Sequence, residues 1–545
     1  MGVQQQLFSS HPLEIVFILD MGQEIVFGIE PLVFWGWFFL VLYVGVMLSF
    51  GFVGMSRVKG SDDFATARGG YGPLFLAFAM TATAASGATF LGLPGLAYTA
   101  GMPVLFYSLV YPLGVYTGVL VCLHAIRRAG ANFGSRSMPE YIGDRFDSNA
   151  LRILAALFSM LLLFYLAGQL LAGAVMFTQM LGLDTLMALC VTAVVLMFYV
   201  AMGGAHADIL TDGVQGALML VLACVVMTMF LTGTQIEGGF SGMIERLNEL
   251  DPALTSVLHP THPLFNSWWD IFAIFAAHLP LGLLPHIGNK LWALKSNRDQ
   301  RRFITLAFVF GLILPAITAG GILARALLGD ELLAEGSNPN QAIPALFIAV
   351  LPAWAAAMIS AGILAAVMST ADGIVVSIAQ IFANDIFRRS IAPRWMKKSE
   401  PEHIDRIGLF IGRIATVLVL LVAIAIAWST RDKNVALLVW IGIGGMMAAT
   451  AAPMFLGVLW RRATRVGALC GFLAGGATFI ILHSSILKDT TLDQLFFGLS
   501  WLISQGPNPF ACATLGAFTS IAVMTLISLF TTPPSEDHLQ RVFGN

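Results

Sequence analysis

Charge is what this sequence has least of. Asp, Glu, Lys and Arg make up 11% of its 545 residues and hydrophobic residues 57%, where a soluble globular chain carries roughly 25% charged residues. A soluble fold has no means of hiding that much apolar surface. Cysteine is almost as scarce: Cys122, Cys190, Cys224, Cys470 and Cys512 stand singly, with no Cys-x-x-Cys and no Cys/His cluster, which argues against a disulfide framework and a zinc site. No basic stripe interleaved with aromatics offers a nucleic-acid surface. Nor does a nucleophile and base pair, metal cluster or phosphate loop stand out, so no enzyme is indicated. The first thirty residues lack the basic region of a signal peptide, and Asp and Glu interrupt their apolar stretches. A short interfacial helix or a loose tail fits them equally.

What the chain does have is a succession of apolar runs of roughly 20 residues, enough for a helix to cross a hydrocarbon core. Turn and charge punctuation places spans near 32–54, 73–97, 102–123, 151–180, 185–202, 209–232, 268–289, 303–327, 344–382, 407–428, 435–459, 467–486 and 510–530. The expected fold is therefore an all-α polytopic membrane protein of about thirteen helices, with 344–382 too long for one straight span. Alternate loops differ sharply in Lys and Arg: 22 lie in the set beginning with 55–72 and four (Arg246, Arg431, Lys433, Lys488) in the opposite set. By the positive-inside bias the N-terminus is outside and the C-terminus cytoplasmic, in a plasma (inner) membrane. The connection 233–267 holds a possible short helix around GFSGMIERLNELDP and no separate module.

Two spans are interrupted in matching places. The second reads AMTATAASGATFLGLPGLAY, with Pro94-Gly95, and the seventh reads WWDIFAIFAAHLPLGLLPHIG, with Pro280, Gly282, Pro285 and Gly288. Paired discontinuous helices at corresponding positions of two five-helix units point to an inverted-repeat transporter with a site near mid-membrane. The organisation is then 1–72 (N-terminal segment, first span and loop), 73–232 (first repeat), 233–267 (connection), 268–459 (second repeat) and 460–545 (two further helices and a tail). Carbonyls freed by such breaks need an ion, water or substrate to meet them. Ser369 and Thr370, in ISAGILAAVMSTADG of the ninth span, supply hydroxyl oxygens of the kind a hard cation takes. The bland alternative is back-bonding to carbonyls four residues earlier.

SDDFATARGG, SGATFLGLPGLAY, YVAMGGAHADILTDGVQ, LPHI, AGILAAVMSTAD and RRATRVGALCG together resemble the sodium/solute symporter family over roughly residues 55–470. The resemblance implies a leucine-transporter-type fold with a 5+5 inverted repeat, one helix before the repeats and two after. It also implies Na+ as co-transported ion, held by the carbonyls of Ala82, Ala85 and Ala366 and the hydroxyls of Ser369 and Thr370. Asp212 matches a family acid near the ion pathway, Asp208 lies one turn before it on the same face, and Asp372 lies two residues past Thr370. Helix capping is the alternative for Asp212, a solvated helix face for Asp372. Ser86, Gly87, Tyr165, Ala277, Leu281 and Pro285 are expected at the substrate, with Gln169 and His278 added from their positions, and His286 is expected to support backbone.

The chain also departs from the pattern: Ala84 stands where proline carriers have aspartate, and Lys290 where arginine often follows Pro-His-Ile. Proline is thereby demoted. Few amides and acids suit a sugar's hydroxyls, so a small organic acid of monocarboxylate type fits better, received by helix N-termini at the breaks. Expected partners are a small-molecule solute and membrane lipid, with no nucleic acid. A proton-coupled transporter of the same fold and a membrane sensor domain are the rival readings.

Overall fold

A computed structural model of the chain describes residues 30–57, 67, 69–135, 137–294, 296–397, 399–484, 486 and 497–544. The reading of residues 1–29, and most of the SDDFATARGG motif, lie outside the described residues. Every regular element is a helix, and among the described residues ten are long and apolar enough to span a membrane, or twelve when each of two bent pairs counts as one span. Two shorter apolar helices, Thr185–Met197 and Pro339–Val350, accompany them, against the thirteen spans expected.

Local chemistry sets the element ends. Ser267 caps Trp268–His278 in a capping box with Asp270, Asn434 accepts from the amides of Ala436 and Leu437 to open Val435–Leu459, and Asn508 does the same for Pro509–Phe530; each side chain satisfies amides that a helix start leaves without partners. The stretch 344–382, expected to be too long for one straight span, is divided between two helices, Ala342–Val350 and Ala353–Gln380. Pro352 between them lacks the N–H that a continuing helix needs and pushes Leu351 to extended backbone.

Helical backbone runs unbroken from Thr185 to Thr232, but it is not one straight span. Along Pro31–Arg57, Val33 meets Gly182, Tyr43 bonds Gln215, and Gly54 abuts Ala207. Gln215 thus lies nearer than Ala207 to the Gly182 end, an order that a straight helix forbids, so the run folds back before Ala207.

Burial separates central from lipid-facing helices. In Val435–Leu459 and Ala353–Trp395 the apolar window is 89% and 83% buried, against 22% in Glu402–Ser429, which places the first two in the middle of the bundle. Both interrupted helices are present: Pro73–Ala84 and Ala88–Ala100 meet at 58°, and Trp268–Leu283 and Pro285–Ala293 at 53°. The helix Glu536–Phe543 docks on the end of the bundle where the basic loops lie: Arg461 pairs with Glu536 at 2.9 Å, and Phe543 lies under the guanidinium of the buried Arg145 at 5.0 Å.

Small residues let the broken helices approach their neighbours closely. A Cβ on Gly118, in Val104–Asn132, would lie 1.8 Å from the Leu279 carbonyl oxygen, whereas one on Gly45 meets nothing within 4 Å. Because the clash is with backbone, Gly118→Ala is expected to cost about 1–3 kcal/mol of overpacking and to lower the melting temperature of the purified protein. Gly45→Ala should leave melting unchanged or raise it slightly. Equal melting temperatures for the two variants would show that this contact yields freely.

Candidate functional site

The first break begins where Pro73–Ala84 gives up its hydrogen-bond ladder. Ala85 caps it with φ −88° and ψ 71°, returning its N–H to the Thr81 oxygen, and a π-helical turn, Ala88–Gly92, restarts the chain before Leu93–Ala100. Into this gap projects Ala353–Gln380. The Ser369 hydroxyl donates to the carbonyls of Ala82 (3.0 Å) and Ala366 (3.3 Å), and the Thr370 hydroxyl to that of Thr83 at 2.8 Å. Ser369, Thr370, Ala82 and Ala366 are all inaccessible to solvent and Ala85 nearly so. Three of the five expected ligands, Ala82, Ala366 and Ser369, therefore share hydrogen bonds, and Thr370 bonds Thr83. Thr83 joins them through its carbonyl, and Ala85 stands in the break. The donor set is neutral oxygen throughout, which fits a singly charged hard cation better than zinc or copper.

The three acids converge beside it. Oxygens of Asp208, Asp212 and Asp372 lie within 4.8 Å of one another, and Lys290 Nζ sits 2.9 Å from Asp208 Oδ2 and 2.9 Å from Asp212 Oδ2. Thr83 Oγ1 donates to Asp212 Oδ2 at 2.6 Å, which joins this cluster to the Ser369/Thr370 oxygens through a single residue. Asp372 Oδ1 accepts from the Gly373 amide at 2.7 Å, while its Oδ2 has no hydrogen-bond partner. The capping alternative for Asp212 fails, because the helix runs through it, and Asp372 is 2% exposed, which excludes a solvated face.

A small cavity opens on the other side of the break, lined by Ala84, Ser86, Thr89, Tyr107, Tyr111, Tyr165, His278, Leu281 and Trp440 among others. Ser86, Tyr165, His278 and Leu281 are thus brought together. Gly87 and Gln169 stand outside the lining, tied to each other by a 2.8 Å bond from the Gly87 amide to Gln169 Oε1. Ala277 is buried beside His278 outside the lining, and Pro285 borders a separate cavity with Met138, Ile142 and Met454. His278 donates from Nδ1 to the Ile274 carbonyl (2.6 Å) and packs its ring 4.6 Å from Trp440. The expected backbone support from His286 is not made: neither ring nitrogen has a hydrogen-bond partner, and the ring stands perpendicular to Tyr165 at 5.1 Å.

Amides at the start of the second half-helix are already taken. Gly87 N–H goes to Gln169, Ala88 N–H to Ser86 Oγ, and those of Thr89 and Phe90 to the Ser86 carbonyl. A carboxylate is therefore not received by this helix N-terminus, contrary to expectation. Hydroxyls, imidazole and indole on the cavity wall are what remains. Tyr107, Tyr111, Thr89 and Trp440 were not identified from sequence; aromatic spacing in Val104–Asn132 and Val435–Leu459 reads as ordinary membrane-helix packing.

Residues 64–475 match the profile described as the sodium:solute symporter family. The chain is 27% identical over 467 residues to the high-affinity proline transporter PutP of Bacillus subtilis strain 168, covering 82% of this chain and 92% of that one. With the sodium/pantothenate symporter of Haemophilus influenzae it shares 27% over 440 residues, 78% and 85% of the two chains. Among solved structures, a substrate-bound, outward-open Na+-coupled sialic acid symporter superposes with a TM-score of 0.71 at 20% identity, over 92% of this chain and 99% of the other. The fold is the leucine-transporter type.

Gln169 is fully buried and its Oε1 accepts from the Gly87 amide in the break. Gln169→Leu should cost about 1–3 kcal/mol through that unsatisfied donor. It should lower both melting temperature and solute uptake. Unchanged melting would mean that another group takes over the Gly87 amide.

Proposed function

We propose, for a chain that belongs to the sodium:solute symporter family and performs sodium-coupled solute symport, that the solute is a small organic acid of monocarboxylate type. The observation that carries this reading is the cavity wall. Ala84 lines it where proline carriers have aspartate, and no Asp or Glu stands among the lining residues. An amino acid's ammonium would find no counter-charge there, and burying it unpaired is costly. A carboxylate instead meets donors: the hydroxyls of Ser86, Thr89, Tyr111 and Tyr165 and the indole of Trp440. Ser86, Tyr165, His278 and Leu281 remain the proposed substrate contacts, with Gly87, Gln169 and Ala277 supporting the wall from behind, while Pro285 borders a separate cavity and leaves the group.

Sodium is proposed to bind among Ala82, Ala85, Ala366, Ser369 and Thr370, with Asp208, Asp212 and Asp372 along its path. Residues 73–232 and 268–459 act as the two repeats, rocking to give alternating access. In this reading the N-terminus faces outward and the C-terminus the cytoplasm, in the inner membrane, which the distribution of basic loops supports. Sodium stabilises the state that accepts solute, and linkage makes the effect reciprocal.

Melting of the purified protein should be followed against a panel of small carboxylates, amino acids and sugars, in sodium and in potassium. Saturation at a hundred times Kd adds about 2.7 kcal/mol of stability. A rise for a monocarboxylate in sodium only is expected. A rise for proline or a sugar would overturn the substrate class, and one that follows pH and ignores sodium would move coupling to protons. Thr370→Ala should raise the sodium concentration for half-maximal uptake about tenfold or more, since one bond to a charged group is worth roughly 1.5–3 kcal/mol. Unchanged sodium dependence would remove the assigned ion site.

A further inference from the structure

Lys290 belongs to none of the groups above, and its surroundings are unusual for a membrane interior. It follows the second break, in the turn Asn289–Ala293, and is 1% exposed. Its ammonium lies midway between two carboxylates one helical turn apart, 2.9 Å from an oxygen of each. The third acid, Asp372, completes the cluster from Ala353–Gln380. Three carboxyl oxygens, Asp208 Oδ1, Asp212 Oδ1 and Asp372 Oδ2, are buried there without a hydrogen-bond partner. A hard cation takes oxygens of this kind.

We infer that Lys290 is a resident cation: its ammonium takes the place a second sodium ion would fill among Asp208, Asp212 and Asp372, and so sets how many ions the protein binds. Three carboxyl groups face one ammonium, and the neighbouring oxygens of Ser369 and Thr370 offer a place for an ion beside them. Without the ammonium the cluster loses the cation that the structure places in it, in a region where burial makes unpaired charge expensive. A compact point charge on a flexible stem can stand where a small ion would; a planar guanidinium fills the space differently but carries the same charge. Being tethered, the ammonium does not cross with the solute, so it draws nothing from the sodium gradient. Its link to the ion site is short: Lys290 to Asp212, Asp212 to the Thr83 hydroxyl, and the Thr83 carbonyl to Thr370.

This inference rests on the reading of the three acids as part of the ion path, and it is tested without solute or transport. Radioactive sodium bound per molecule of purified full-length protein would be counted by equilibrium dialysis for the wild type, Lys290→Met and Lys290→Arg. Lys290→Met should bind about one ion more than the wild type and show a steeper sodium dependence of melting. Lys290→Arg should bind as many as the wild type. An equal count for folded Lys290→Met and wild type overturns the inference, as does an extra ion in Lys290→Arg. Should Lys290→Met unfold in potassium, the inference requires sodium to restore it; a variant unfolded in both cations counts against it. Thr370→Ala separates the two readings: failure of the neighbouring ion site changes its count and leaves the difference between Lys290→Met and wild type in place.

Discussion

A carbonyl released from a helix inside a membrane has no water to turn to, and each unsatisfied one costs several kcal/mol, roughly. The interruption of the 73–100 helix therefore dictates much of what surrounds it. Ser369 and Thr370 reach across from Ala353–Gln380 to the carbonyls of Ala82 and Thr83, while Gln169 comes from Leu162–Leu181 to hold the Gly87 amide. These bonds keep the break closed and also define what opens it. A cation held at the proposed site would compete with the hydroxyl protons for the same lone pairs and draw carbonyls and hydroxyl oxygens toward one centre. Its affinity would then be a difference between two satisfied arrangements.

The acidic cluster extends the same constraint to formal charge. Asp208 and Asp212 sit on the helix after the fold-back, Asp372 on the helix that carries the hydroxyls, and Lys290 on the second broken helix. Four backbone segments are joined by a single knot of charge, since Thr83 of the first broken helix also bonds Asp212. In a low-dielectric interior, pulling such a knot apart leaves its charged groups without partners, which is costly. In the proposed mechanism, movement of either broken helix is thereby linked to the arrival or departure of a cation.

Sequence alone gave the spans because hydropathy and loop charge report directly on the bilayer, and it gave both breaks because Pro and Gly crowd there. Ser369 and Thr370 were legible only through the family resemblance; by themselves they suit back-bonding equally well, and Ser369 does in fact also bond Ala366, three residues earlier. Other features depended on distances between segments far apart in the chain. Nothing local to Lys290 announces Asp208 and Asp212 as its partners, 82 and 78 positions upstream. Tyr107, Tyr111 and Trp440 become a cavity wall only when Val104–Asn132 and Val435–Leu459 face the break from two sides. Likewise the sequence shows that the 86–100 half-helix has an N-terminus, but not that its first four amides already have partners.

That last point bears on how solute and ion communicate. Were the amides free, a carboxylate would bind to the half-helix alone, and its binding would favour no particular position of the second broken helix. Because they are occupied, a solute in the proposed cavity would draw its contacts from several elements at once: Ser86 and Thr89 at the first break, His278 and Leu281 at the second, Tyr107 and Tyr111 on Val104–Asn132, and Trp440 on Val435–Leu459. A ligand held that way favours the arrangement in which all of these converge. The same arrangement holds Pro73–Ala84 against Ala353–Gln380, where the oxygens of the proposed sodium site meet. Each ligand then raises the population of the state that the other prefers, which is the physical content of coupling between them.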